Sequence, residues 1–274
     1  MKIIVDAMGG DNAPKAPVMG AIAAAKAYGV EIVLVGQSDK ILECLKEEGI
    51  DTLPPGVEIA FASQVVTMCD NPTAVLHAFQ DSSMVVGARL LGKGGDAFVS
   101  AGNTGALLTV ATLVAKRIKG VKRAAISPVC PTETGSCVIL DAGANNECSP
   151  EYLLQFAYMG SFYAEKYLGK VNPKVGLLNN GAEETKGRAL QKEAYALLKA
   201  AGENGHLNFV GNVEARQVPL GDVDVVVCDG FSGNILLKSI EGTAIFMAHK
   251  LKEMFQKNGA TKVGYLLCKS GVND

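Results

Sequence analysis

Residues Lys2 to Pro14 read KIIVDAMGGDNAP and lead from a short apolar strand directly into a polar loop with two glycines. The β-branched run IIV at 3–5 favours a buried strand, which Asp6 ends. Gly9 and Gly10 permit a positive φ and let a ligand approach the backbone. The stretch therefore predicts a strand, an anion-binding loop and a helix in succession.

The helix expected after this loop covers the alanine-rich segment 16–28, and its predicted N-cap region contains Asp11, Asn12 and Pro14. Unpaired backbone N–H groups and the helix dipole favour an anion at such an end. The same pattern also fits an ordinary tight turn, so this loop alone does not decide a function.

The composition is typical of an ordinary globular protein. The chain has 274 residues, of which 48% are hydrophobic and 20% charged, and its net charge is −2. This length suits one large α/β unit or two packed lobes, and the charge gives no indication of nucleic-acid binding. The seven cysteines form no CxxC pair, so neither a disulfide framework nor a zinc site is expected. We find no signal peptide and no apolar run of membrane-spanning length, which predicts a cytoplasmic protein.

Strand and helix patterns alternate along most of the chain, which predicts a largely parallel sheet covered on both faces. A local antiparallel hairpin is expected from strands at 123–129 and 136–140. Long helices are expected from Asn71 to Leu91 and from Ile235 to about Lys257, and a further helix should end near Lys119.

Five loops that follow predicted strands combine glycine with Asp, Asn, Ser or Thr. They lie at residues 6–12, 100–106, 141–145, 179–187 and 229–234. The carboxyl ends of parallel strands meet at one edge of a sheet, where open α/β sheets bind ligands. Turn and cap chemistry explains any single loop about as well, but five such loops favour convergence on one crevice.

The usual residues of covalent catalysis are missing from these loops, because the three histidines lie elsewhere, at 77, 206 and 249. The loops supply backbone N–H groups, side-chain amides and lysines, which suit a bound phosphate or oxyanion. The predicted mechanism is therefore noncovalent and metal-independent, and the nucleophile comes from the substrate. No cofactor is expected.

Several strings resemble, in order, the blocks of the PlsX family, the phosphate acyltransferases of bacterial phospholipid synthesis. They are DAMGGDNAP at 6–14, SAGNTGA at 100–106, LDAGAN at 140–145, LLNNGAEETKG at 177–187, FVGNVEAR at 209–216 and CDGFSGNILLK at 228–238. The resemblance implies an enzyme that moves a fatty acyl group from acyl carrier protein to inorganic phosphate, forming an acyl-phosphate that then acylates glycerol 3-phosphate. It implies an α/β/α sandwich of the isocitrate and isopropylmalate dehydrogenase class, shared with phosphotransacetylases and used without a nucleotide.

The resemblance also implies a homodimer, associated peripherally with the inner face of the cell membrane, that delivers its product to a membrane glycerol-3-phosphate acyltransferase. A helix after residue 234 with apolar residues on more than one face could supply the dimer or membrane contact, although a wholly buried core helix fits the pattern equally well. The basic residues between Lys116 and Arg123 are expected to attract the acidic carrier protein.

Site residues are expected in the five loops. For catalysis we expect Lys186 to provide phosphate charge, Asn103 and Thr104 to provide orientation and oxyanion binding, and Asn234 to form the opposite wall. Phosphate or acyl-carrier binding is expected from a wider set of loop residues: Asp6, Gly9, Gly10, Asp11, Asn12, Ser100, Gly102, Gly105, Asp229, Gly230, Ser232, Gly233 and Lys238. Lys186 and Lys238 also fit surface ion pairs.

The chain departs from the family pattern in two places. It reads HAFQDSSM at His77 to Met84, where the family has Arg and Lys before DSSM, so a basic contribution is lost or supplied elsewhere. It reaches Asp274 without the strings YGGAPLLG and GHGSS of the family's end. We therefore expect a single α/β acyltransferase unit over residues 1–274 that lacks the family's C-terminal segment.

Other functions remain open from the sequence. A phosphotransacetylase-like enzyme that uses acyl-CoA would share the chemistry, and a nonenzymatic regulator would bind acyl chains or acyl carrier protein without turnover. A dehydrogenase is a weaker alternative, because GGDN is not the GxGxxG phosphate turn.

Overall fold

The computed structural model describes the backbone of residues 1–273 and the side chains of residues 1–268. The chain divides into two compact units, Met1–Ala124 and Ala125–Asp274, and each is described by itself. Among the described residues, no helix combines the length and apolar character needed to cross a bilayer.

The first unit contains a four-stranded parallel sheet with the strand order β3-β2-β1-β4. Its strands are β1 (Lys2–Asp6), β2 (Glu31–Gly36), β3 (Val57–Phe61) and β4 (Ala97–Val99). Its helices are α1 (Lys15–Tyr28), α2 (Ser38–Glu47), α3 (Val75–Ala78), α4 (Ser83–Leu91) and α5 (Thr104–Val110).

Side-chain alternation decides which face of this sheet each helix covers. Ile32 and Leu34 of β2 pack with α1 and α2, whereas Val33 and Val35 pack with α4 on the other face. Successive strand residues point to opposite faces, so a run such as EIVLVG can be buried on both sides. The first unit is therefore a three-layer α/β/α sandwich.

The second unit contains a five-stranded sheet with the strand order β5-β6-β9-β7-β8, in which only the β5–β6 pair is antiparallel. Its strands are β5 (Val129–Thr132), β6 (Gly135–Leu140), β7 (Lys174–Asn179), β8 (Asn208–Glu214) and β9 (Val225–Val227). Its helices are α6 (Pro150–Tyr167), α7 (Ala189–Glu203), α8 (Gly230–Gln256) and α9 (Gly259–Asn273).

The same alternation organises the second sheet. Leu140 and Val227 pack with Phe156 of α6 on one face, and Ile139 and Val226 pack on the other face in the cluster that includes the first turns of α8. The second unit is therefore also an α/β/α sandwich. The predicted α/β class with a largely parallel sheet is confirmed, although the strands form two sheets rather than one.

Helix α8 is longer than the sheet it covers. Leu236 is buried on the sheet, but every residue from Glu241 to Met254 is exposed. At 1.5 Å per residue, a helix of this length spans roughly 40 Å, so its second half extends away from the core. The alternative of a wholly buried core helix is therefore wrong.

Three predicted elements differ from the structure because of local hydrogen bonds and backbone geometry. The helix expected from 71 to 91 is broken, because the Ser82 side chain accepts from the Val85 N–H and starts α4 as a new helix. The helix of the 100–106 loop ends at Ala115, where Lys116 adopts φ 70°. The strand expected at 123–129 is β5, which begins only at Val129.

The buried face of α6 provides a test of the second core. Phe156 is fully buried, whereas Phe162 on the same helix is 58% exposed. Phe156→Ala should lower the free energy of unfolding by about 3–5 kcal/mol, because it leaves a cavity. Phe162→Ala, the matched control, should change it by no more than about 0.5 kcal/mol. Urea unfolding followed by circular dichroism measures both, and equal losses would contradict the assignment of this face.

Candidate functional site

In the first unit, the carboxylate of Asp6 connects the loops that follow β1 and β4. It is 2% exposed, and its Oδ2 accepts a hydrogen bond of 2.7 Å from the Ser100 hydroxyl. Its Oδ1 accepts from the Met8 N–H at 3.1 Å, and the Ser100 hydroxyl in turn accepts from the Gly102 N–H at 3.1 Å. The loops at 6–12 and 100–106 therefore meet as predicted, because their strands are adjacent and parallel.

Glycines allow these two loops to pack backbone against backbone. A Cβ placed on Gly9 would lie 2.6 Å from Asp6 Oδ2 and 2.9 Å from the Gly102 nitrogen. Gly10 has φ +103°, which side-chain-bearing residues rarely adopt, and it lies against Ala101. The predicted loop glycines are therefore required by close contact between the loops.

Asn103 caps α5, and its side chain is fully engaged. Its Oδ1 accepts from the Ala106 N–H at 3.0 Å, and its Nδ2 donates to the carbonyls of Thr67, Met68 and Asp70 at 3.2–3.3 Å. Any oxyanion contact made by this amide would compete with those three carbonyls. Thr104 is exposed in the first turn of α5.

Helix α1 starts in the predicted N-cap region. The helix begins at Lys15 after Pro14, and no side chain caps it. Asn12 accepts from the Ala16 N–H through its backbone carbonyl, and the side chains of Asp11 and Asn12 are exposed. The predicted N-cap region is therefore confirmed, with Pro14 as the N-cap residue, but neither Asp11 nor Asn12 caps the helix through its side chain.

In the second unit, the fully buried carboxylate of Asp141 organises the loop after β6. Its Oδ1 accepts from the backbone N–H groups of Ile126, Gly143 and Ala144 at 2.9–3.2 Å. Its Oδ2 accepts from the backbone and side-chain nitrogens of Asn145 at 2.6 and 2.9 Å. These five hydrogen bonds compensate the loss of hydration of a buried carboxylate.

The loop after β9 docks on the Asp141 loop and opens α8. The Gly230 N–H donates to the Asn145 carbonyl at 2.7 Å, and the buried Asp229 caps the helix by accepting from the Ser232 N–H at 2.8 Å. Asn234 is exposed, and its side chain faces Gly143 of the Asp141 loop. The helix begins at Gly230, five residues earlier than expected.

The two lysines singled out from the sequence both form exposed ion pairs. Lys186 Nζ is 3.7 Å from Glu183 Oε1, and Lys238 Nζ is 2.8 Å from Glu241 Oε2. Such pairs contribute about 0–1 kcal/mol to stability. A bound anion could therefore displace the glutamate carboxylate from either lysine at small cost.

Sequence reasoning missed Arg188, which directly follows Gly187 in the loop after β7. Its side chain is 75% exposed, and its Nη2 lies 3.6 Å from Oδ2 of the buried Asp229. It borders a hollow of about 600 Å³ that opens at the starts of α7 and α8, and Asn179, Asn180 and Ser232 also line this hollow. The sequence could have indicated Arg188, because the loop string NNGAEETKG continues directly into this arginine.

Cys228 lies beside these loops but is a poor nucleophile. It is buried, and its Sγ lies 3.4 Å from the Asp141 carbonyl oxygen. Burial, followed by the nearby carboxylates of Asp229 and Asp141, raises the pKa of its thiol well above the ordinary value. The thiolate is the reactive form, so this cysteine is unsuited to covalent catalysis.

Comparison with known proteins identifies the family. The sequence profile described as "Fatty acid synthesis protein" matches residues 1–274. A "Phosphate acyltransferase" of Alkaliphilus oremlandii is 50% identical over 273 residues, which cover 99% of this chain and 80% of that protein. A "Phosphate acyltransferase" of Acetivibrio thermocellus is 49% identical over 274 residues, which cover 99% of this chain and 79% of that protein. The chain belongs to the PlsX family.

Solved structures agree with the fold expected of a PlsX-family chain. A phosphotransacetylase from Staphylococcus aureus superposes with a TM-score of 0.65 at 18% identity, covering 89% of this chain and 82% of that one. A phosphotransacetylase from Streptococcus pyogenes gives a TM-score of 0.64 at 20% identity, with the same coverage. At such identities the likeness extends to the fold only.

Two residues of the stretch 77–84, for which a departure from the PlsX pattern is expected, lie on the surface of the first unit. His77 is exposed on α3, and Gln80 is exposed in the following turn. The guanidinium of Arg89, on α4, donates to the Gln80 carbonyl at 3.1 Å. A basic group is therefore present beside this turn, although it comes from a different helix.

Close packing of α8 on the Asp141 loop provides a test of this site. A Cβ on Gly233 would collide with the Asp141 carbonyl oxygen, whereas Gly242, in the same helix, faces open space. Gly233→Ala should destabilise the chain by about 1–3 kcal/mol. Gly242→Ala should stabilise it by up to about 1 kcal/mol, because alanine is the better helix former. Urea unfolding measures both, and a stabilising Gly233→Ala would refute the contact.

Proposed function

We propose that this chain transfers a fatty acyl group from acyl carrier protein to inorganic phosphate and so forms an acyl-phosphate for phospholipid synthesis. The observation that carries the proposal is its identity of up to 50% to proteins named phosphate acyltransferase over almost its whole length. Loops rich in backbone N–H groups and the hollow beside Arg188 support it, because they suit an anionic substrate.

The reaction needs no covalent intermediate on the protein. A phosphate oxygen attacks the thioester carbonyl, so a carbon–oxygen bond forms and an oxyanion develops on the carbonyl oxygen. The oxyanion then collapses, the carbon–sulfur bond breaks, and the carrier's thiolate leaves and takes up a proton. The protein's task is to hold phosphate and to stabilise the oxyanion with preorganised donors.

Residues of two loops would supply the positive charge and the hydrogen-bond donors for these tasks. Lys186 and Arg188 lie in the loop after β7 and would attract phosphate through their positive charge. Ser232 and the first backbone N–H groups of α8 would provide uncharged donors. The catalytic roles of Asn103, Thr104 and Asn234 stay predictions. No metal or cofactor is required by these steps.

A cluster of positive charge favours acyl carrier protein, an acidic protein, as the acyl donor. The predicted basic residues are exposed in the segment that follows the helical turn ending at Ala115: Lys116, Arg117, Lys119, Lys122 and Arg123. Lys116 is the C-cap residue of that helical segment, so the cations also lie close to a helix C-terminus, where positive charge is favourable. A cluster of exposed cations of this kind would steer an acidic carrier protein toward the chain.

One assay tests the reaction and the carrier together. With phosphate and palmitoyl-acyl carrier protein, the chain should form palmitoyl-phosphate, detected by mass, and palmitoyl-CoA should be a poorer donor. Lys186→Ala should lower kcat/KM for phosphate by about 10- to 100-fold, as expected for a lost charge-assisted hydrogen bond. Lys192→Ala, an exposed lysine of α7, is the control.

The other functions predict different results in this assay. Preference for palmitoyl-CoA would favour the phosphotransacetylase-like reaction, and tight carrier binding without product would favour a nonenzymatic regulator. Turnover of Lys186→Ala close to that of the parent chain would refute the lysine assignment.

A homodimer at the inner, cytoplasmic face of the membrane is proposed from the far end of α8. Ile245, Phe246, Met247, Leu251 and Met254 are each 48–58% exposed. Leu266 and Leu267 of α9 are exposed to 68% and 79%. Large apolar residues clustered on an exposed helical segment favour a second subunit or a lipid surface. Delivery of the product to a membrane glycerol-3-phosphate acyltransferase would follow from that location.

Two phenylalanines of similar exposure test this surface. Phe246 is 57% exposed on α8, and Phe162 is 58% exposed on α6. The parent chain should have the mass of a dimer in solution and float with anionic liposomes. Phe246→Glu should weaken dimerisation, flotation or both, because it places a charge in an apolar contact that the dimer or the lipid surface would bury. Phe162→Glu should leave both intact. A monomeric parent chain that stays with the soluble fraction would refute both halves of this proposal.

A further inference from the structure

The loop after β7 is attached to α7 by a cluster of three residues that do not line the hollow. Glu184 Oε1 accepts hydrogen bonds from the Tyr195 hydroxyl at 3.0 Å and from Lys199 Nζ at 2.9 Å. Tyr195 and Lys199 are one helical turn apart, so they share a face of α7. We call these three residues the loop anchor.

The loop anchor is itself held in place by the sheet. The Tyr195 ring packs edge to face on Phe209 of β8, with centroids 5.2 Å apart. The hydrogen bonds from Lys199 and then Tyr195 hold the pKa of Glu184 below its ordinary value. The carboxylate is therefore the favoured form, and it joins the loop to a ring that packs on the sheet.

A second set of contacts holds the backbone on both sides of Glu184. Asn212 Nδ2, on β8, donates to the Glu183 carbonyl at 2.8 Å, and Asn179 Nδ2 donates to the Lys186 carbonyl at 3.2 Å. The two asparagines are joined by a hydrogen bond of 3.1 Å between Asn179 Nδ2 and Asn212 Oδ1. The backbone is thus fixed at 183 and 186, and the side chain at 184, while Lys186 Nζ forms an exposed ion pair with Glu183.

We propose that the loop anchor positions the loop after β7, so that Lys186 and Arg188 are presented to phosphate in a fixed geometry. Glu184 is the positioning residue, and it acts through the loop without touching substrate. This inference rests on the proposed function for the identity of the anion. A fixed backbone lowers the entropy lost when a lysine on an exposed loop takes up a ligand.

The loop anchor contributes little to global stability, because Glu184 and Lys199 are both about half exposed. Its loss should therefore affect ligand binding much more than folding. Trypsin gives a direct readout, since it cleaves after Lys186 and Arg188 when the loop detaches from α7 and Asn212.

The test compares Glu184→Ala, Glu184→Gln and the control Lys192→Met, which lies exposed on the same helix. Glu184→Ala should raise KM for inorganic phosphate and the rate of cleavage at Lys186 each by about five- to tenfold, with kcat and the unfolding temperature nearly unchanged. Glu184→Gln keeps an oxygen that can accept from both partners, so it should restore most of the parent behaviour. Lys192→Met should match the parent chain.

Two results would overturn the positioning role. One is cleavage or KM in Glu184→Ala equal to that of the parent chain, and the other is an equal effect of Lys192→Met. If the parent chain forms no acyl-phosphate, the proposed function fails, and sodium phosphate then serves as the probe. Slower cleavage of the parent chain but not of Glu184→Ala in phosphate would support positioning, whereas equal protection or none in both would overturn it.

Discussion

The carboxylate of Asp141 is the interaction on which the second unit's loops depend. A carboxylate without solvent contact is costly unless both oxygens are satisfied, and here they accept five hydrogen bonds from nitrogen donors. Four of these five donors belong to the consecutive loop residues Gly143, Ala144 and Asn145, so the loop closes around its own aspartate. The next loop docks on that closed surface through Gly230. The loops that follow β6 and β9 are thus fixed against each other at the end of the sheet.

The first unit uses the same device on a smaller scale. Asp6 also ends a central parallel strand, accepts a hydrogen bond from the backbone two residues on, and reaches the loop of a neighbouring strand through Ser100. In both units a buried carboxylate holds backbone N–H groups, and glycines at the contacts let the loops approach without side chains between them. Rigid loops of this kind suit a reaction in which the protein positions phosphate and stabilises an oxyanion.

Helix α8 combines two roles in one element. Its first turns carry a capped N-terminus beside the Asp141 loop and pack on the sheet through Leu236, which fixes this end of the helix. Its second half extends beyond the core with exposed apolar residues. Because one continuous helix joins the two ends, the distance between the loops and the apolar surface is set by helical rise, at about 1.5 Å per residue.

The sequence by itself determined the fold class, the family and the polar, glycine-containing loops that follow the strands. Buried β-branched strands alternate with helices, and glycine-rich loops follow Asp6, Asp141 and Asp229, so these features can be read from local pattern. Its limits were local as well. The break at Ser82 depends on a hydrogen bond that short-range pattern does not specify, and the late start of β5 was not visible in the pattern.

Tertiary structure alone decided how side chains in those loops are used. Asn103 reads as a free amide in the sequence, yet its donors are spent on a loop more than thirty residues away. Arg188 lay outside the predicted set, yet it borders the hollow and pairs with a buried aspartate. Sequence pattern reports residue type and spacing along the chain. Hydrogen-bond partners and exposure depend on residues brought together by folding, so only the three-dimensional structure could assign them.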